Sequence, residues 1–130
     1  MPRSVLTGRI LSGLAIAFLL MDAAFKLFAT PEALDGTRQL GYDPAVVLPL
    51  GVLQFGLLAM YLVPRTAVLG AILWTGYLGG AVATHVRVAN PWPTHILFPI
   101  YIGLLLWGGL WLREQRLQDL LPMRTARLRR

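Results

Sequence analysis

The sequence predicts an all-α integral membrane protein: a four-helix up-down-up-down bundle with a short interfacial helix between spans one and two. Three observations carry this. Hydrophobic residues make up 56% of the 130-residue chain and charged residues 14%, about half the charged share of a soluble domain. A water-soluble fold of this size could not hide so much apolar surface. The apolar residues also fall in four runs, each close to the roughly 20 residues that cross a bilayer as a helix. Finally, the breaks between the runs carry helix punctuation.

Span one covers about residues 10–28. Its position after Arg3 and Arg9 resembles a signal peptide, but Asp22 before Ala23-Ala24 puts a charge where a cleavage site needs a small residue, so the helix is expected to stay. Thr30-Pro31-Glu32 then opens a short helix that Gly41 can end. It is too polar to cross and belongs at the interface. Asp43-Pro44 supplies an N-cap and a first-turn proline for span two, about residues 45–63. Pro64-Arg65-Thr66 allows only a tight antiparallel turn into span three, about residues 67–85. Asn90-Pro91-Trp92-Pro93-Thr94 is expected to be non-helical and separates it from span four, about residues 95–112. Residues 113–130 form a basic amphipathic tail with Leu117, Leu120 and Leu121, suited to anionic headgroups and broken at Pro122.

The net charge of +6 raises the question of nucleic acid, but the arginines flank apolar runs and lack aromatic interleaving, so no nucleic-acid partner is expected. Nine basic residues (Arg3, Arg9, Arg65, Arg113, Arg116, Arg124, Arg127, Arg129, Arg130) fall on one side of the membrane. Three (Lys26, Arg38, Arg87) fall on the other, which together make the 12 in the chain. The positive-inside rule therefore places both termini in the cytoplasm and the protein in the cell inner (plasma) membrane. There is no cysteine, so disulfides and thiol redox chemistry are excluded.

Lipid does not pair apolar helices, so close packing must. Gly76, Gly80 and Thr84 recur at four-residue steps on span three, with Gly79 and Ala83 beside them. Gly13 and Ala17 do the same on span one, and span four has Gly103, Gly108 and Gly109. Packing within the chain is the favoured reading, and a homo-oligomer interface the alternative.

Ionisable groups inside a span are costly and each needs a reason. Asp22 and Lys26 stand at i and i+4 with the acid first, the favourable order for an ion pair. They either neutralise one another or keep a dry carboxylate ready for proton transfer or ligand anchoring. His85 ends span three and His95 begins span four, so both sit at the outer interface. Two histidines fall short of the three or four ligands of a stable metal site, so no metal is expected, and hydrogen bonds to the loops are the simpler role. Pro99 leaves the His95 carbonyl unpaired and can kink span four there. Gln54 lies mid-membrane and needs a partner on another helix. Asp22, Lys26, His85, Arg87 and His95 thus all fall in the outer half, above Gln54 and Tyr77. The simplest arrangement is a vestibule opening outward over an apolar floor. The short helix would lie over it as a lid, with Leu34, Leu40 and Tyr42 turned to the spans. Asp22, Lys26, His85 and His95 are the catalytic candidates, and Gln54, Trp74, Tyr77 and Arg87 the ligand-binding ones. Motifs for nucleotides, phosphate or calcium are missing, as are serine or cysteine nucleophile motifs.

Several segments resemble the DoxX-like family of small four-helix membrane proteins: Phe25-Lys26-Leu27, Leu40-Gly41-Tyr42-Asp43-Pro44, Val63-Pro64-Arg65, Leu69-Gly70-Ala71, the run from Gly79 to His85, and the run from Trp107 to Arg113. The resemblance covers about residues 10–113. It implies the four-helix membrane fold and an association with quinol oxidation and thiosulfate:quinone chemistry. Gln54 departs from the pattern, since similar proteins often carry glutamate there; the resemblance therefore extends no proton-carrying role to it. Two functions follow as expectations. One is a binding or accessory subunit for a lipophilic small molecule (a quinone or a lipid) or for a membrane redox partner. The other is a membrane-embedded enzyme, an isomerase or oxidoreductase, that works through Asp22 and a histidine.

Overall fold

The computed structural model describes residues 2–121. Its elements are six α-helices and two single turns: α1 (Arg3–Leu27), α2 (Pro31–Gln39), a 3₁₀ turn (Pro44–Val46) leading into α3 (Val47–Leu62), α4 (Ala67–Arg87), a π turn (Trp92–Ile96) before α5 (Phe98–Arg113), and α6 (Gln115–Leu120). Four helices, counting the entry turns, are long and apolar enough to cross a membrane. α1 packs on α3 and α5, and α4 packs on α3 and α5. Neighbours in sequence are therefore neighbours in space, antiparallel around a ring, as expected for an up-down-up-down bundle.

The caps follow from local chemistry. The Thr30 hydroxyl accepts from the Ala33 N–H at 3.3 Å, and Pro31 fills the first turn, where no N–H is needed. Asp43 Oδ1 accepts from the Ala45 N–H at 2.9 Å ahead of α3. α1 and α4 end alike. Ala29 (φ 48°) and Ala89 (φ 55°) take the left-handed conformation, so the Thr30 N–H reaches the Phe25 carbonyl and the Asn90 N–H reaches the His85 carbonyl. Gly41 (φ 86°) turns the chain out of α2.

Four expectations need correction. α1 begins at Arg3, a full turn and more before the apolar run, because nothing between the two arginines breaks a helix. The segment at Trp92–Pro93–Thr94 is helical: Pro91 stands at the cap and Pro93 in the first turn, where a missing N–H costs nothing. The break comes later, at Leu97, where Pro99 cannot donate to His95. Leu117 is buried in the bundle core and not spread on headgroups, because the chain bends at Glu114 and α6 folds back, with Gln118 donating to the Trp111 carbonyl. Leu120 and Leu121 stay exposed, and Pro122 lies outside the described residues.

The fourth correction concerns glycine. The stripe on α4 is not a packing seam within the chain. A Cβ built at Gly76, Gly79 or Gly80 meets nothing within 4 Å, and the same holds at Gly13. α4 packs through a different face, Ala67, Gly70, Ala71, Trp74 and Leu78, which repeats at helical spacing. Helices touch elsewhere: Gly8 against Gly109 where α1 meets α5, and Gly70 against the Tyr61 backbone where α3 meets α4. This end of the bundle, near the α3–α4 turn, is solid. Trp74, Leu106 and Leu110 are fully buried there, and the Tyr61 hydroxyl donates to the Leu106 carbonyl (2.6 Å) while pairing with Ser12 (2.8 Å).

Candidate functional site

At the opposite end the helices part. A cavity of about 760 Å³ lies between the spans, with α2 along its edge. Phe18, Leu19, Phe25, Leu50, Phe98 and Ile102 supply apolar wall. Gly76 and Gly80 give it room on the α4 side, which is why their Cβ positions are open.

One polar cluster stands in the wall. Asp22 and Lys26 form the i,i+4 ion pair, with Asp22 the more exposed side chain (36% against 17%). Gln54, 1% exposed, crosses from α3 and donates from Nε2 to Asp22 Oδ2 at 2.9 Å. Tyr77 comes from α4, its hydroxyl 3.5 Å from Lys26 Nζ. Three helices thus meet on one ion pair. Gly51 makes the approach of α3 feasible: a Cβ there would lie 3.0 Å from the Leu27 nitrogen and 3.1 Å from the Lys26 Cβ. It stands one turn before Gln54, and so sets the distance between the amide and Asp22.

The imidazoles form a second station. His85 and His95 stack edge to face with ring centroids 5.7 Å apart, and both line the cavity. The left-handed turn at Ala89 folds Asn90 back, and its amide nitrogen pairs with His85 Nδ1 at 2.7 Å. His95 Nδ1 pairs with the Thr94 hydroxyl at 2.8 Å. His85 lies eight residues beyond Tyr77 on α4, about 12 Å along the helix axis. The two stations therefore share the cavity at different levels.

Among the sequence-derived candidates, Asp22, Lys26, Gln54, Tyr77, His85 and His95 line this cavity. Trp74 does not: it is fully buried below, edge-on to Tyr77 at 5.4 Å, with an unpartnered Nε1. Arg87 is exposed and does not line the cavity. α2 and its C-cap contribute Glu32, Ala33, Gly36, Thr37, Gln39 and Leu40 to the lining, and Leu34, expected to face the spans, is not part of it. Tyr42 ties the segment after α2 to α4 through Thr84 (3.0 Å). Sequence reasoning missed Gly51, Asn90 and Thr84 as site residues. For Gly51 a signal existed, a small residue one turn from a mid-membrane amide.

No group of three or more metal-ligating side chains occurs among the described residues. The pattern that defines the DoxX-like family matches residues 10–109. The chain belongs to the DoxX-like family. No curated protein and no solved structure gives a match. As a DoxX-like protein with four apolar spanning helices, it is a membrane protein.

Proposed function

We propose that this DoxX-like protein is a binding subunit for a lipophilic small molecule, a quinone or a lipid, held in the cavity with its polar end at the Asp22–Lys26–Gln54–Tyr77 cluster. One observation carries the reading. Polar groups from three helices converge on a single point of an otherwise apolar cavity, the usual composition of a small-molecule site. The nine-to-three distribution of basic residues supports a place in the cell inner membrane with both termini cytoplasmic, so that the cavity opens outward. Service to a membrane redox partner is part of the reading and rests on family membership alone.

The test is extraction of purified protein and mass spectrometry of what is released. The wild type should carry a lipophile at near-stoichiometric level. Gly76→Trp, which projects into open space, should lose it and keep its melting temperature. Equal lipophile in both proteins would refute the cavity as the site. For the orientation, reporter fusions within the lid helix and after residue 121 should read opposite sides; a cytoplasmic signal from the lid would reverse it.

The enzymatic alternative has one observation in its favour: His85 and Asp22 share the cavity. It requires a substrate long enough to reach both stations, since a proton donor or acceptor acts within about 3 Å. The same extract separates the readings. An enzyme would release a substrate–product pair related by isomerisation or by loss of two hydrogens, and a binding subunit a single species.

A further inference from the structure

We infer that the cavity selects a lipid whose uncharged head carries a free hydroxyl group; this rests on the binding reading above and narrows its ligand. The inference comes from the unused hydrogen-bonding capacity of the cluster.

Gln54 Oε1 is buried and accepts no hydrogen bond. Its nitrogen donates to Asp22, and no donor among the described residues reaches the carbonyl oxygen. Both bonds to Asp22 land on Oδ2, which leaves Oδ1 as a further acceptor. On the other side, the Tyr77 hydroxyl faces Lys26, whose ammonium has no proton acceptor to offer, so the Tyr77 proton is free to donate. The cluster therefore presents acceptors and a donor together.

This pattern discriminates among head groups. A hydroxyl donates one bond and accepts others, so it can serve Gln54 Oε1 and Tyr77 at once. A quinone carbonyl or an ether only accepts. It would engage Tyr77 or Lys26 and leave the buried Gln54 oxygen unpaired, which is costly in a dry site. A phosphate head brings negative charge to a site whose own charges, Asp22 and Lys26, already cancel. Its oxygens would also face those of Asp22 and Gln54. A quaternary ammonium head has no donor and would meet Lys26. The residues present thus fit an oxidised quinone poorly, although the family association points to quinones.

The experiment uses the full chain in detergent micelles and four probes: farnesol, farnesyl methyl ether, farnesyl phosphate and decylubiquinone. Native mass spectrometry reads the fraction of protein loaded at each concentration. Farnesol should load at a concentration about tenfold lower than the methyl ether, the ratio expected for one buried acceptor left unpaired. The phosphate and the quinone should load no better than the ether. In Gln54→Leu the advantage of the alcohol over the ether should shrink to what Asp22 Oδ1 alone supplies, and an undiminished tenfold preference would remove Gln54 Oε1 from the inference. If that variant does not fold, the wild-type comparison decides. An ether or quinone that loads at least as well as farnesol, in a manner that Gly76→Trp abolishes, would overturn the hydroxyl inference and leave the cavity reading intact. Loading of no probe, or loading that Gly76→Trp does not change, would overturn both.

Discussion

The two ends of this bundle use the same residue for opposite purposes. Near the α3–α4 turn, Gly8, Gly70 and Gly109 bring helix backbones into contact, and a Cβ at Gly70 would lie 2.7 Å from the Tyr61 nitrogen. Near the lid, Gly76 and Gly80 touch nothing and hold space for the cavity. Gly70, Gly76 and Gly80 all lie on α4. The difference lies in which way the α4 face turns. Glycine on one helix thus keeps a face clear for a neighbouring helix in one place and for an open chamber in another.

The largest test of this contrast is a matched pair of substitutions. Gly70→Ala should destabilise by about 1–3 kcal/mol through overpacking. Gly80→Ala should be neutral or stabilising by up to about 1 kcal/mol, because alanine is the better helix former and nothing is displaced. Thermal unfolding in detergent measures both, and equal losses would remove the distinction between the ends.

A second test asks whether the lid-end polar cluster is held by charge. Lys26→Met leaves the Asp22 carboxylate with only Gln54 as a partner. The expected cost is about 1–3 kcal/mol, reduced from that of a fully buried pair because Asp22 is partly exposed. Adding Asp22→Asn should recover part of the loss. Strictly additive effects in the cycle would mean the two side chains do not interact.

The smallest effects compare two tyrosines. Tyr61→Phe strips the buried hydroxyl from Ser12 and the Leu106 carbonyl and should cost about 1–2 kcal/mol. Tyr42→Phe removes an exposed bond to Thr84 and should change stability by less than about 0.5 kcal/mol. A larger loss at Tyr42 would make the lid attachment part of the fold's stability.

Much of this was legible beforehand. Apolar run length located four spans, because a bilayer imposes that length on any helix that crosses it. The i,i+4 order of Asp22 and Lys26 announced their pairing, since helix geometry fixes it locally. Gln54 announced a need for an interhelical partner but not its identity. Asp22 became that partner only through the rotation of α3 against α1, which Gly51 permits and no local pattern encodes. The same limit explains the α4 stripe. Sequence gives the period of a face and not its azimuth, so Gly76 and Trp74, two residues apart, could not be sorted into cavity and core. Tyr61 escaped notice for a related reason: near the end of a span, a tyrosine hydroxyl can equally reach the headgroups. Pro93 misled because a proline forbids the interior of a helix but suits its first turn.

Trp74 and the leucines around it have a consequence beyond packing. They close the cavity below, and the described residues there leave no polar file continuing toward the α3–α4 turn: Ser12 and Tyr61 satisfy each other and the Leu106 carbonyl. A polar chamber that ran the whole way across a bilayer would conduct ions. Among the described residues, hydrocarbon and indole seal this one at one end, so its polar groups form a dead end and not a path across the bilayer.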